Sequence, residues 1–515
     1  MSASRPLRSS GLIASGTLLS RVTGLVRIWA TGQALGITFS ALADTYNSAN
    51  STPNLVYELV LGGVFTATLV PLFVDASERD DADSTSAVVT VAMVALVALT
   101  VIGVLAAPAI VSLLSLQVET AYRDDAIRVG TTLVRCFVPQ IVGYGFTALA
   151  AAALNARHRF VAAAYAPVLN NILVTAVLLW VARTDPSLAE VAGDERLTLL
   201  LGIGTTAGIL VTALALLPAL RRAGVRLRFN FAPRHPAVVR MLRLSGWTFG
   251  YVAANQIALL FVMIIARDEA GTLAAYQYAF AFFQLPHGLV AVSIMTAWLP
   301  DLTARARSGD LHGMRERFDA GLRPMLLLML PAAVGLLALS VPLVDTLLAT
   351  GAGERPDTTA AALTGFAIGL VPFSVYLYTL RAFYALGDTR TPFLVNGFEN
   401  LLNIALAVPL YARFGVRGLA AAYSVAYLGA AIVAVIALRR RIGPIAGRPV
   451  ANTAVVASLA ALACGGAAAG AAARFDTRAL ALVVGTLVGA AAYAAVLATF
   501  ARSEVRDLLG RGTAR

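Results

Sequence analysis

The chain has 515 residues, of which 58% are hydrophobic and 13% are charged, and its mean hydropathy is +0.77. Soluble proteins carry about 25% charged residues, so this composition excludes a water-soluble globular protein and predicts an integral membrane protein. The net charge is +12, and every basic residue is an arginine. Such an excess is typical of the cytoplasmic loops of membrane proteins, so we expect no nucleic-acid partner.

Apolar segments of about 20 residues or more follow one another along the chain, and each is long enough to cross a bilayer as a helix. They predict an all-α integral membrane protein with about fourteen transmembrane helices. Because Arg21 and Arg27 interrupt the first segment, we interpret it as a retained helix and not as a cleaved signal peptide. The segments lie at 10–36, 40–74, 86–115, 127–153, 161–182, 197–220, 242–266, 273–300, 322–349, 359–386, 392–412, 414–438, 450–473 and 479–501.

The arginines between these segments indicate how the chain is oriented. If the N-terminus is cytoplasmic and the segments alternate, most of the arginine-rich loops fall on the cytoplasmic side. The richest of them follows the sixth segment and runs from Arg221 to Arg243. The pattern therefore predicts an inner-membrane protein with both termini in the cytoplasm.

A weak internal repeat relates two parts of the chain. The stretch LNARHRFVAAAYAPVLNNI from Leu154 resembles LGDTRTPFLVNGFENLLNI from Leu386. Two shorter pairs, TATLVPLF with MTAWLPDL and LSRVT with LSGWT, occur at nearly the same separation. The repeat predicts a six-helix lobe at 1–220, a second six-helix lobe at 221–441, and two further helices with a cytoplasmic tail at 442–515. Transporters commonly place a substrate cavity between such halves.

Ionisable side chains at membrane depth are unusual, because each costs about 2.5–3.5 kcal/mol on insertion scales. Arg21 and Arg27 lie in the first predicted helix, and Asp44 opens the second. Arginine binds phosphate through two parallel hydrogen bonds. The three residues therefore predict a water-filled cationic cavity for an anionic substrate, with Asp44 as the balancing carboxylate. The alternative is a structural ion pair between the first two helices.

A polar face is also predicted on the eleventh helix, formed by one carboxylate and three amides at i, i+3, i+4 and i+7 spacing. Oxygen ligands of this kind suit Na⁺, and the carboxylate alone could carry a proton. We therefore expect Na⁺ or H⁺ as the candidate coupling ion; the alternative is hydrogen bonding between helices. The four residues are Asn396, Glu399, Asn400 and Asn403.

The sequence carries few other signs of chemistry. No nucleotide-binding motif is present, and the histidines and cysteines lack the spacing of a metal site. We expect no metal, no other cofactor and no enzymatic reaction.

Several motifs resemble the lipid II flippase (MurJ/MviN) family of the multidrug/oligosaccharidyl-lipid/polysaccharide exporter superfamily. SRVTGLVR (Ser20–Arg27) and ADTYNSANSTPNL (Ala43–Leu55) resemble two segments near the start of that family. The stretch from Leu154 resembles a third, and GDTRTP (Gly387–Pro392) resembles its counterpart in the second half. The resemblance covers essentially the whole chain.

The resemblance implies a flippase in a bacterial inner membrane, with a central cationic cavity and a groove for a lipid tail on the last two helices. It implies a lipid II-like polyprenyl-pyrophosphate substrate. It also implies contact with membrane lipid, and cell-wall synthesis proteins as candidate partners. Tyr57 and Ala281 stand where many family members carry arginine, and Gly62 replaces a common glutamate for which Glu58 could compensate. The substrate-binding residues expected on this basis are Arg21, Arg27, Asp44, Asn54 and Glu58.

Three other functions are compatible with parts of this pattern. The first is a flippase for another polyprenyl-linked glycan, which shares the same chemistry. The second is a drug/cation antiporter on the same fold, which predicts an acidic and aromatic cavity and is disfavoured by Arg21 and Arg27. The third is a membrane scaffold without transport, in which the cavity arginines would be dispensable.

Overall fold

The computed structural model describes residues 4–35, 41–58, 69–78, 81–157, 159–184, 186–225, 227–244, 246–348 and 357–500. Within these ranges the regular elements are all helices. A bilayer offers no water to backbone N–H and C=O groups, so helices, which pair these groups internally, are the expected solution. The predicted all-α membrane fold is confirmed. The chain divides into two compact units, Met1–Ala274 and Ala275–Arg515.

Among its described residues, the first unit contains eleven helices and the start of a twelfth. The helix α9 packs against α5, α6 and α7, and α7 also packs against α1. Close approach of α9 and α7 depends on glycine, since a Cβ atom at Gly204 would lie 2.8 Å from Val177. The helices are α1 (Ser4–Leu35), α2 (Ala41–Tyr57), α3 (Val70–Glu78), α4 (Ala82–Leu114), α5 (Thr120–Phe137), α6 (Gln140–Ala156), α7 (Phe160–Val181), α8 (Leu188–Gly193), α9 (Glu195–Arg222), α10 (Pro236–Leu244), α11 (Gly246–Ile265) and α12 (Thr272–Pro286).

The second unit contains most of α12 and the remaining helices. A π-helical turn, His287–Ala291, joins α12 to α13, and Gly415 breaks α18 with a φ of 58° and a ψ of −145°. That break lies at the start of the predicted segment 414–438, three residues beyond the end of the predicted segment 392–412. The helices are α13 (Val292–Arg307), α14 (Leu311–Ala338), α15 (Ser340–Leu348), α16 (Asp357–Ala367), α17 (Leu370–Ala385), α18 (Arg390–Ile442), α19 (Arg448–Ala472) and α20 (Arg478–Phe500).

Nine helical segments in the described ranges are long and apolar enough to span a membrane, or ten if α16 and α17, which meet at 47°, form one span. The predicted number of about fourteen stays a prediction. The difference arises partly because α2 has only 17 residues and because both arms of α18 count as one continuous element.

The boundary between the compact units lies about two helices beyond the boundary that the internal repeat predicts at 220. Both α10 and α11 pack against α4, which joins them to the first unit. The predicted separate segment 442–515 likewise contributes its helices to the second unit. There α19 packs on α14 and α20 on α15, and Ala468, Ala472 and Ala481 form a cluster with Leu339. The division into repeats therefore stays a prediction about duplication and differs from the packing units.

Candidate functional site

The two predicted cavity arginines lie on different sides of one uninterrupted helix, α1. They are six residues apart, which on an α-helix of about 100° per residue separates them by about 240°. Arg21 is exposed, whereas Arg27 is half-buried and interacts electrostatically with Tyr46 and Tyr144. Neither side chain is fully buried, and their role in substrate binding stays a prediction.

Hydrogen bonds from α7 hold the arginine-bearing part of α1 in place. The Nδ2 atom of Asn171 donates to the backbone oxygen of Ser20 at 3.1 Å and to Oγ1 of Thr23 at 3.1 Å. Nearer the start of α1, the hydroxyls of Ser15 and Tyr165 are 2.8 Å apart. Asn171 lies near the end of the repeated stretch from Leu154, and its amide N–H groups join this stretch to α1.

Tyrosines line the side of the first unit that Arg27 faces. The rings of Tyr57 and Tyr144 lie 5.5 Å apart between centroids. The Tyr144 hydroxyl donates to Oε1 of Gln140 at 3.1 Å, and the hydroxyls of Tyr46 and Thr205 are 2.7 Å apart. Tyr57 therefore offers a phenol and an aromatic face at the position where the resemblance leads one to expect an arginine.

The two other residues predicted for substrate binding in α2 lie near its C-terminal end. Asn54 is exposed, and Glu58 is half-buried beside Tyr57. In the described part of the chain, no hydrogen bond or ion pair joins either residue to Arg21 or Arg27. Their role in substrate binding stays a prediction.

Asp44 is placed differently from the prediction. Its side chain is only 3% exposed, and it accepts hydrogen bonds from the backbone N–H groups of Gly271 at 2.8 Å and Ala274 at 2.7 Å. Gly271 directly precedes α12 and Ala274 lies in its first turn, where unpaired N–H groups and the positive dipole end favour a carboxylate. Asp44 therefore caps α12 from another helix.

The buried cation next to Asp44 is Arg267, which sequence reasoning missed. Arg267 is 4% exposed and interacts electrostatically with Asp44. Its guanidinium donates to the hydroxyls of Ser48 at 2.9 Å and Thr45 at 3.4 Å. No sequence motif singles out Arg267; its place directly after the apolar segment 242–266 was the available signal.

Two expectations for Asp44 are therefore corrected for this conformation. It does not form the balancing partner of the α1 arginines, and it does not form an ion pair between the first two helices. The reason is geometric: the start of α2 packs against the turn between α11 and α12, which supplies both a charge and two N–H donors.

The predicted polar face on α18 is buried in the second unit. Asn396 is 0% exposed, Glu399 1%, Asn400 6% and Asn403 5%. The side chain of Asn400 donates to the backbone oxygen of Asn396 at 2.9 Å. Tyr276, a residue that sequence reasoning missed, interacts electrostatically with Glu399.

Oε2 of Glu399 and Oδ1 of Asn403 are buried on this face and have no hydrogen-bond donor in the described part of the chain. A buried acceptor without a donor costs about 1–3 kcal/mol. These residues are four apart and share one side of the helix. Carboxylate and amide oxygens fit a small hard cation, and the carboxylate alone fits a proton.

The family model and the similar proteins name the same family. A family model described as "Lipid II flippase MurJ" matches residues 33–502. The "Probable lipid II flippase MurJ" of Rhizobium meliloti (strain 1021) is 30% identical over 422 residues, which cover 80% of this chain and 77% of that protein. The "Lipid II flippase MurJ" of Burkholderia cenocepacia is 29% identical over 385 residues, covering 73% and 72%.

Solved structures show the same fold. "Lipid II flippase MurJ, inward closed conformation" has a TM-score of 0.79 at 21% identity and covers 96% of this chain and 100% of that one. An inward-facing multidrug resistance MATE family transporter has a TM-score of 0.66 at 17% identity, covering 82% and 94%. At these identities the structural likeness shows the fold alone.

Proposed function

The chain belongs to the lipid II flippase MurJ family, and from this membership we propose that it carries lipid II from the cytoplasmic to the outer leaflet of a bacterial inner membrane. The observation that carries the proposal is the family match over residues 33–502, which includes parts of both compact units. We further propose that transport proceeds by alternating access, in which two lobes expose one site to each side in turn.

The substrate's pyrophosphate would bind Arg21 and Arg27. Arg21 is exposed and Arg27 is half-buried, and each guanidinium offers a planar fork of donors to phosphate oxygens. Tyr144, which interacts with Arg27, and the neighbouring Tyr57 would add hydroxyl groups for phosphate or sugar oxygens and would so offset the missing arginine at position 57. Asn54 and Glu58 would contact the polar headgroup.

A path along these residues would keep the sugar and peptide of the substrate out of the hydrocarbon core of the bilayer. There, each polar group without a hydrogen bond costs about 4–8 kcal/mol on cyclohexane scales. The lipid tail would stay in the bilayer along α19 and α20, as the resemblance implies. No bond is made or broken in this process. The termini would both be cytoplasmic, with the arginine-rich loops on the same side.

The buried face of α18 would hold the coupling ion. Glu399 and Asn403 supply oxygens without donors, and Asn396 and Asn400 lie on the same face. Either Na⁺ or H⁺ satisfies this chemistry. Replacing Glu399 with Gln removes the charge at almost constant volume, so flipping should lose its dependence on Na⁺ or on pH. An unchanged dependence in proteoliposomes would exclude the ion site.

Two other transport functions remain as alternatives. A flippase for another polyprenyl-linked glycan would use the same arginines. A drug/cation antiporter is the other alternative, since a multidrug resistance MATE family transporter shares the fold at 17% identity, but Arg21 and Arg27 on α1 disfavour a cationic substrate. Native mass spectrometry of the purified protein separates these cases, because co-purified lipid II, another lipid-linked glycan and a drug-like cation differ in mass.

The decisive genetic test uses a strain depleted of its own flippase. Arg27→Ala should fail to support growth while the protein still accumulates in the membrane, because the substrate's pyrophosphate loses its partner. Arg196→Ala is the matched control, since Arg196 is an exposed arginine at the start of α9 and its loss should have no effect. Normal growth with Arg27→Ala would contradict the proposed role of this arginine.

A further inference from the structure

A short segment without regular secondary structure, residues 227–231, runs along the first turns of α4; we call it the strap. Two hydroxyls on α4 hold it. The Ser86 hydroxyl accepts from the backbone N–H of Arg228 at 3.2 Å. The Thr90 hydroxyl accepts from the N–H of Asn230 at 3.1 Å and donates to the backbone oxygen of Arg228 at 3.4 Å. The strap therefore has a defined position against a long apolar helix.

The strap presents large apolar side chains to its surroundings. Leu227 is 37% exposed, Phe229 83% and Phe231 53%. They alternate with Arg228 and Asn230 along the segment. Removing a phenylalanine side chain from water is favourable. Three exposed apolar residues in one segment therefore indicate that the strap meets lipid.

An apolar groove lies between the strap and α4. Its volume is about 440 Å³, and it is lined by Val89, Met93 and Val97 of α4 and by Leu227, Arg228 and Phe229 of the strap. Pockets of about 300–1,000 Å³ are typical of small-molecule sites. Beyond the groove α4 continues with exposed apolar residues, of which Leu105 is 76% exposed. The groove thus opens onto a lipid-facing helix.

Charge selects the kind of lipid. Arg228 is exposed at the groove, and among the described residues it forms no ion pair with a carboxylate, whereas Arg240 pairs with Asp75 at 3.3 Å. We propose that the strap groove binds an anionic phospholipid, with an acyl chain against α4 and the phosphate on Arg228. This site lies on α4, separate from the α1 arginines of the proposed flippase site, and does not depend on flipping.

The test measures lipid binding to the full-length protein, delipidated in detergent, by native mass spectrometry. The probes are phosphatidylglycerol and phosphatidylcholine with identical acyl chains. We expect preferential binding of phosphatidylglycerol and about a fivefold loss of its affinity in Arg228→Gln, because one basic residue near an anionic lipid surface is worth about 1 kcal/mol. Arg222→Gln, which changes an exposed arginine at the end of α9, is the matched control and should bind like the parent.

A second pair of variants tests the acyl-chain part of the site without changing charge. Val94→Trp fills the groove and should reduce binding of phosphatidylglycerol, whereas Val101→Trp changes an exposed valine further along α4 and should not. All four positions are exposed, so the variants should melt at the parent's temperature. Equal binding of the two lipids, identical behaviour within either pair of variants, or displacement of the lipid by an equal concentration of inorganic phosphate would overturn the proposal.

Discussion

Asp44 offers the sharpest test of the packing in the first unit. Its carboxylate receives two backbone hydrogen bonds from the start of α12 and lies beside the buried Arg267. Asp44→Ala removes the acceptor for both N–H groups and leaves a buried guanidinium without its counter-charge. The substitution should therefore destabilise the protein through a named set of lost contacts.

The size of the effect follows from these contacts. Hydrogen bonds to a charged group contribute about 1.5–3 kcal/mol each, and removing one partner of a buried charge pair costs about 3–5 kcal/mol. The two figures describe the same loss and are not added. We expect the free energy of unfolding to fall by about 3–5 kcal/mol in Asp44→Ala. Asp44→Asn keeps one acceptor oxygen and should lose about half as much.

The measurement is unfolding of the purified protein in mixed micelles with increasing dodecyl sulfate, followed by helical circular dichroism. Asp124→Asn is the control, because Asp124 is an exposed carboxylate in α5 and its loss should cost less than about 0.5 kcal/mol. Combining Asp44→Ala with Arg267→Met should cost less than the sum of the single changes, since the second change removes the stranded charge. An effect of Asp44→Ala no larger than the control, or strict additivity in the double variant, would refute the reasoning.

Three further predictions concern other parts of the fold. Gly365→Ala should destabilise the second unit by about 1–3 kcal/mol, because the added Cβ would lie 2.5 Å from a backbone oxygen of α18. Gly397→Ala is the control, because no atom lies within 4 Å of its added Cβ. It should be neutral or stabilising in the same dodecyl sulfate titration. The pKa of Asp81 lies below its ordinary value of 3.8 because Ser84 donates to its carboxylate from both the hydroxyl and the backbone N–H. This cap stabilises the fold above pH 3.8 and is lost as the pH falls through the lowered pKa. Asp81→Ala should therefore cost about 0.5–2 kcal/mol at neutral pH, with a difference from the parent that shrinks in acid; a constant difference would contradict the assignment. Asn171→Ala should loosen α1 from α7 by about 1–2 kcal/mol, seen as faster hydrogen exchange in α1 with little change in α20.

Much of the architecture follows from local sequence alone. The predicted segments 197–220 and 450–473 correspond to α9 (Glu195–Arg222) and α19 (Arg448–Ala472). Apolar runs of membrane length form transmembrane helices, because the bilayer requires each segment to pair its own backbone N–H and C=O groups. The spacing of the α18 residues likewise predicted a common face, since helical periodicity depends only on positions along the chain.

The partners of individual polar groups could not be predicted in the same way. Asp44 and Arg267 are far apart in sequence, and the nearest charges to Asp44 along the chain were the wrong candidates. The strap shows the same limit, because its arginine-rich sequence suggested only a cytoplasmic loop. Its contacts with Ser86 and Thr90 appear only when α4 and the segment after α9 are brought together.

The amino-acid sequence by itself determined that this protein is a helical membrane protein of the MurJ family, because hydrophobicity, helical period and family motifs are properties of the chain read locally. Only the tertiary structure decided which charges are capped, buried or exposed. Those outcomes depend on which helices meet, and a charge at membrane depth is stabilised by whatever donors and counter-charges the neighbouring helices supply.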